Sequence, residues 1–574
     1  MERAVTQGAV PPTASPAPLP PWSLDPADRA APPPALGDIV RPAANNWPDR
    51  PAIHDGRSGL TFAELERQAA ALADWLSQQG VGGEDRVVIL AEKCAIMPVL
   101  AIGIWKSGAV YVPLDATQPI LRLRGLLDRL RPSAVIALDD REPSITGVRW
   151  VGRTQLDAIL SGPSSDRPAA PKRPEDTAYI IFTSGSTGEP KGVEISVGSL
   201  LAYFRNHNEV LRFTPASRVF SLSPFHFDVS IEDTLLPLSL GAFVFQFRGM
   251  HAGAIMRAVI KRERITHLIA VSTLLTMITD GGRHVSRANF PALEMVMTGA
   301  EVCDPGVINV WKTGLPELRL FNVYGPTEAT IVCTAYEIQQ VDPERRSAYP
   351  IGRPLRGVAA RIVADGTEAP GQQLLGQEVA GPGRVGELWI GGEQVMRGYF
   401  DQPAETARCV VEVDGVRYYR TGDMCSYDED GNIVFHGRND DEVKLAGRRI
   451  HLGEIRQIVL GCPGVERAAV GLVPRRGHDV IALVVVAPIQ SVVADVEKQL
   501  ADLLPEYMRP TLVAWSPTLA VSSTGKTDEN RLMRRLAEAV DGSSATHFTL
   551  SPDGDVEMLS PDGDVEPVDG AADV

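Results

Sequence analysis

Apolar residues return at helical spacing after Leu60: Leu65, Ala69, Leu72 and Leu76 stand three or four apart. That periodicity predicts an amphipathic helix with one buried stripe, and Thr61 is placed to cap its first turn. Two short apolar runs follow, Arg86-Val87-Val88-Ile89-Leu90 and Ala109-Val110-Tyr111-Val112-Pro113-Leu114, separated by a second helical stretch after Glu92. Strands that alternate with helices imply a parallel sheet with crossover helices, and so an α/β fold.

The texture changes near Asp440. Residues 453–460 and 493–504 have helical patterns, and 465–473 and 480–486 read as strands. A module of roughly a hundred residues suits a small α+β domain. The expected organisation is a Pro/Ala-rich disordered leader over 1–34, a large domain over 35–439, a small domain over 440–540 and a disordered tail over 541–574. The tail repeats itself: Leu550-Ser551-Pro552-Asp553-Gly554-Asp555-Val556-Glu557, then Leu559-Ser560-Pro561-Asp562-Gly563-Asp564-Val565-Glu566. So few apolar residues among so many acids predict disorder. Its Asp-x-Asp pairs lack the spacing of an EF-hand loop.

The 574 residues, 44% hydrophobic and 22% charged, are ordinary globular material and too many for one core. No apolar run reaches the length of a membrane span, and no basic-then-apolar signal opens the chain. Membrane is therefore not an expected partner. Six cysteines without a Cys-x-x-Cys pair argue against a disulfide framework or a zinc site and for a reducing cytoplasm. Of the net charge of −16, nine negative charges lie in 541–574, which has no Lys or Arg, so the remainder carries −7. Nucleic acid is excluded as a general partner.

The chemistry begins at Tyr179-Ile180-Ile181-Phe182-Thr183-Ser184-Gly185-Ser186-Thr187-Gly188-Glu189-Pro190-Lys191-Gly192. A strand-like run ends in small hydroxyl and glycine residues, whose N–H groups can approach phosphate oxygens closely, with Lys191 behind them as a mobile positive charge. It is not a Walker loop, because Pro-Lys-Gly replaces Gly-Lys-Ser/Thr. Gly381-Pro382-Gly383-Arg384-Val385-Gly386 fits a dinucleotide fingerprint, but a strand-like Glu387-Leu388-Trp389-Ile390 follows where a helix must open. It reads as a loop.

Further motifs accompany the phosphate loop: Trp105-Lys106-Ser107-Gly108-Ala109, Phe321-Asn322-Val323-Tyr324-Gly325-Pro326-Thr327-Glu328, Gly386-Glu387-Leu388-Trp389-Ile390-Gly391-Gly392 with Arg397-Gly398-Tyr399, Tyr419-Arg420-Thr421-Gly422-Asp423, Gly437-Arg438-Asn439-Asp440, Leu504-Pro505-Glu506-Tyr507-Met508-Arg509-Pro510 and Gly525-Lys526. Over residues 36–539 the chain resembles the adenylate-forming enzymes: amino-acid adenylation domains, acyl-CoA synthetases and luciferases. The resemblance implies a large N-terminal domain of two stacked α/β sheets with a β-barrel-like subdomain, hinged at Asp440 to a mobile α+β lid. It implies ATP and magnesium as cofactors, and a reaction that joins a carboxylate to the α-phosphate and expels pyrophosphate.

By the same resemblance, Thr183, Ser184, Gly185, Ser186, Thr187, Gly188 and Lys191 hold the outgoing phosphates, and Glu328 binds magnesium. Tyr324 stacks on adenine, Asn322 contacts the base, and Ala300 (where Gly is usual), Gly325 and Thr327 lie beside them. Asp423 accepts from the ribose hydroxyls, with Arg438 in reach. Lys526 bridges the reacting carboxylate and the α-phosphate in the first step. Lys444 and Gly447 face the site in the second, after the lid turns.

Phe227-Asp228-Val229-Ser230 resembles the signature of amino-acid adenylation domains, in which the Asp pairs with the substrate ammonium. A buried carboxylate makes sense only if such a cation arrives. The matching pocket residues are Val229, Glu232, Ile269, Val296, Thr298, Val323, Ile331 and Val332. Two readings of Glu232 stand: it meets a donor on the substrate, or it pairs with a protein Arg or His. A β-amino acid would also satisfy Asp228. No carrier, condensation or thioesterase motif accompanies the series, so the expected partner is a discrete carrier protein in trans, in secondary-metabolite biosynthesis. Arg448, Arg449, Arg475 and Arg476 offer a basic face for an acidic carrier. The rival readings are an acyl- or aryl-CoA ligase and a catalytically silent homologue.

Overall fold

A computed structural model describes residues 35–138, 148–185, 189–345, 347–364, 378, 381–438, 441–476, 478–517, 529–540, 545–550, 556–559 and 565–566. The leader, Ser186, Thr187 and Gly188 of the phosphate loop, the Asp440 hinge and Lys526 lie outside the described residues.

The first predicted helix runs Phe62–Gln78 behind a reciprocal cap: the Thr61 hydroxyl accepts from the Glu64 N–H at 3.2 Å, and the Glu64 carboxylate accepts from the Thr61 N–H at 2.8 Å. Two N–H groups that the helix cannot satisfy are thereby bonded, which stabilises it by about 1 kcal/mol. Leu65, Ala69, Leu72 and Leu76 are all buried and face Met97–Lys106, a helix buried along its whole length.

Two large sheets carry the first part of the chain. One has seven strands in the order Gly398–Tyr399, Lys191–Ser196, Thr177–Thr183, Val110–Leu114, Arg86–Leu90, Ala134–Ala137 and Trp150–Val151. The other has nine, with Arg319–Tyr324, Met295–Thr298, His267–Ile269, Arg218–Ser221 and Phe243–Gln246 forming its parallel centre. A single hydrophobic cluster joins them, from Val87, Ile89 and Tyr111 on the first to Val219, Val244 and Met297 on the second. A third, five-stranded antiparallel sheet is built around Val416–Tyr427, and Gly386–Gly392 is one of its strands. The Gly381–Gly386 sequence thus leads into a strand, as expected of a loop.

Past residue 440 come the hairpin Glu442–Leu445 and Arg448–His451, then strands Arg467–Arg475, His478–Val486 and Leu512–Ser516, with helices Leu452–Leu460, Val492–Leu503 and Glu529–Val540. The expectation of a disordered tail is corrected over its described residues. His547–Leu550 pairs parallel to Leu512–Ser516, and Val556–Leu559 and Val565–Glu566 continue the sheet. Composition averaged over the tail hides a local alternation: His547-Phe548-Thr549-Leu550 presents Phe548 and Leu550 to one face. Both are fully buried, in a cluster with Leu512, Ala514, Leu536 and Val540. Among the described residues no helix is long and apolar enough to cross a membrane.

Candidate active site

The strand Thr177–Thr183 delivers Thr183 and Ser184 to a cleft of about 290 Å³ lined by Ser184, Lys191, Glu328, Tyr399, Arg438, Glu442 and Arg449 among others. Gly185 follows at a point where an added Cβ would sit 2.1 Å from the Glu189 carbonyl oxygen, so only glycine fits the turn. Lys191 reaches across to Glu405 at 3.2 Å, its ammonium over the Tyr399 ring.

The neighbouring sheet ends in Asn322, Val323 and Tyr324. The Asn322 amide N–H groups donate to the main-chain oxygens of Tyr349 and Pro350 at 3.1 and 2.9 Å, which pins that strand end. The Tyr324 hydroxyl donates to Asp423, whose other oxygen accepts from Arg438 at 2.7 Å. Lys444 lies over the Tyr324 ring, 5.2 Å from its centre. Ala300 adopts φ 65°, a left-handed conformation that costs a non-glycine residue roughly 1–2 kcal/mol; this is the strain that the sequence departure Gly to Ala introduces.

Glu328 is 1% exposed and accepts from the Tyr399 hydroxyl at 2.8 Å and from Arg449 at 2.6 Å. Burial works to raise its pKa, but the guanidinium and the phenol outweigh it and hold the group below the usual carboxylate range. Arg449 also contacts Glu442 at 2.6 Å, so one guanidinium bridges two buried acids. Burial raises the pKa of Glu442.

Arg449 corrects an expectation. It is not part of an exposed basic face; it sits inside the cleft, and its main-chain oxygen accepts from the Ser184 hydroxyl while the His451 N–H donates to the same hydroxyl. The signal was available in the sequence. Ala446 and Gly447, at φ 49° and 74°, form a two-residue hairpin turn. Such a turn pairs Lys444 with Arg449, and paired residues share a face. A hairpin that aims Lys444 at the site must aim Arg449 there too. Arg448 instead stacks on Tyr507, 4.2 Å from its centre.

Asp228 lies just ahead of a π-helical turn, Ile231–Leu235, a distortion frequent at functional sites. It is 8% exposed, and burial pushes its pKa up to about 6, the nearby charges of Glu328 and Glu232 adding to the rise against hydrogen bonds from Thr327 and the Val229 N–H. Glu232 is 1% exposed and stands 2.6 Å from His207 Nε2, so of the two readings the pair with a protein side chain is the one observed. Val229, Ile269, Val323, Ile331 and Val332 belong to one hydrophobic cluster. Val296 and Thr298 do not join it. Parallel register pairs Ile269 with Met297, which turns Val296 to the opposite face, among Phe220, Leu268 and Leu320, and Thr298 toward Cys303.

The AMP-binding enzyme family matches residues 40–400. Phenyloxazoline synthase MbtB of Mycolicibacterium paratuberculosis is 33% identical over 527 residues, covering 90% of this chain and 43% of that protein; the chain spans about two fifths of the length of such relatives. The structure of holo-PA1221, an NRPS protein containing adenylation and PCP domains, superposes with a TM-score of 0.76 at 25% identity, covering 88% of this chain and 84% of that one. The o-succinylbenzoate CoA synthetase MenE from Bacillus subtilis shares the fold, with a TM-score of 0.73 at 20% identity over 87% of this chain and 98% of that one. The chain belongs to the family of AMP-binding enzymes.

Proposed function

We propose that the enzyme activates an amino acid as its aminoacyl adenylate and then loads it onto the phosphopantetheine thiol of a separate carrier protein, in secondary-metabolite biosynthesis. Asp228 carries the amino-acid part. A carboxylate this buried, with its pKa lifted to about 6, has no cationic partner among the described residues and is best satisfied by a substrate ammonium. An acyl- or aryl-CoA ligase would bring it none. Exchange of labelled pyrophosphate into ATP across a panel of α-amino, β-amino and plain carboxylic acids tests the reading; a response to plain acids alone would sink it. Holo-carrier protein and CoA, offered as alternative acceptors, test the second step.

Magnesium is the implied metal, and Glu328 is the carboxylate that would hold it together with substrate phosphates; in this structure both of its oxygens are engaged, one by Tyr399 and one by Arg449. When bound the ion would neutralise phosphate charge as pyrophosphate departs. Thr183, Ser184, Gly185 and Lys191 would hold that leaving group, Tyr324 would stack on the base, and Asp423 would take the ribose hydroxyls. The six free thiols support a reducing, cytoplasmic setting.

The observed lid position supports the second half-reaction, because Lys444 and Gly447 already face the large domain. A Cβ on Gly447 would lie 2.4 Å from Val271 Cγ1, at φ 74°. Gly447→Leu is therefore expected to bar this docking and cut carrier loading by about tenfold or more, at a steric cost of at least 1.4 kcal/mol, while pyrophosphate exchange persists. Lys444→Ala should act the same way, more weakly. A variant that loses exchange but loads normally from supplied adenylate would refute the alternation.

Arg449→Met leaves Glu328 and Glu442 buried without their shared cation, a loss of about 3–5 kcal/mol to this lid position. Amide hydrogen exchange of the Glu442–His451 hairpin should accelerate and transfer should fall. Unchanged protection would show that the bridge does not hold the hairpin.

A further inference from the structure

The helix Val197–Leu211 turns Tyr203 and His207, four residues apart, to the same buried side, and both are 0% exposed. The Tyr203 ring stacks on the imidazole, centres 5.1 Å apart and planes 15° from parallel. Against this helix lies the π-helical turn that carries Glu232, with Oε1 2.6 Å from His207 Nε2. His207 is the one basic side chain that the described structure sets in ion-pairing range of Glu232. Asp228 is close enough for its charge to act on Glu232 and on Tyr203. Two buried carboxylates thus stand near one another: Asp228, whose cation would come with the substrate, and Glu232, which His207 already contacts. Val229, Ile269, Val323, Ile331 and Val332 belong to the hydrophobic cluster that runs through the large domain.

We propose that His207, which lies outside the strands expected to line the pocket, is the residue that sets side-chain specificity: by pairing with Glu232 it closes a seat for a basic side chain and restricts the enzyme to amino acids with uncharged, aliphatic side chains. The inference rests on the amino-acid reading above. A basic side chain entering there would find the carboxylate already engaged by the imidazole and would have to break a buried contact. An aliphatic side chain asks nothing of the pair and meets only methyl groups. Stacking by Tyr203 and burial on a helix keep the imidazole from swinging away to vacate the carboxylate.

The test is amino-acid-dependent pyrophosphate exchange, read as the ratio of kcat/KM for ornithine to that for valine. The wild type should strongly favour valine. His207→Leu leaves Glu232 without its partner, and the ratio should rise by roughly one to two orders of magnitude. The double variant with Glu232→Leu should return it to the wild-type side, a reversal that mere loosening of the helix would not produce. Where His207→Leu fails to fold, His207→Gln, which keeps a polar side chain and removes the imidazole, should move the ratio the same way by less. A wild type that prefers ornithine, or a folded His207 variant whose ratio stays within twofold, overturns the proposal while leaving amino-acid activation intact. Exchange with no amino acid, but with plain carboxylic acids, overturns the amino-acid reading and this inference together.

Discussion

Asp228→Asn should abolish most amino-acid activation and make the protein more stable. Removing one side of a buried charge pair costs about 3–5 kcal/mol, so kcat/KM for the amino acid should fall by roughly two to three orders of magnitude with ATP binding little changed. The stability gain follows from the lifted pKa. A carboxyl at about 6 when folded, against an ordinary value of 3.8, holds its proton more tightly in the folded state. Its favourable contribution is present below pH 3.8 and lost as pH rises through about 6, so at pH 7 the ion weighs against folding. Two pKa units correspond to about 3 kcal/mol, which asparagine relieves. For the same reason wild-type kcat/KM should decline below about pH 6 as the carboxylate takes a proton before the substrate arrives. Thermal denaturation and exchange kinetics at pH 5 to 8 check both halves. Near wild-type efficiency, or a less stable variant, would remove Asp228 from the ammonium site.

Lys526→Ala should lower adenylate formation by about two to three orders of magnitude, the loss typical of one preorganised donor to a developing oxyanion. Transfer from preformed adenylate should survive, because the hairpin bearing Lys444 and Arg449, not the segment bearing Lys526, is expected to meet the site in that step. Equal losses in both half-reactions would show that the lysine has another role.

Much of this was legible in the chain. Asp228, Tyr324, Glu328 and Asp423 sit in short motifs whose chemistry is local, and in the structure Tyr324 bonds to Asp423 while Glu328 stands close enough for its charge to act on Asp228. Side-chain direction was harder to read. Val296 and Thr298 match the pocket by position along the chain; a strand alternates its faces, and the inter-strand register turns these two away from the face that Ile269 and Met297 share. Arg449 was mistaken for a surface charge because composition does not say which way a hairpin faces. Glu232 was undecided because its partner lies on a helix more than twenty residues earlier, a contact that only tertiary packing creates. The tail was misjudged because four residues of alternation are lost in an acidic average.

Those four residues also bear on self-association. Without His547–Leu550, the lid sheet would end on Leu512–Ser516, a row of bare peptide groups ready to recruit a strand from another molecule. The covering strands bring acid with them: Thr549 pairs with Glu557, and Met558 with Glu566. A chain trimmed after Val540 as if it ended in a dispensable tail would lose that cover, and aggregation through the bared strand is the expected result.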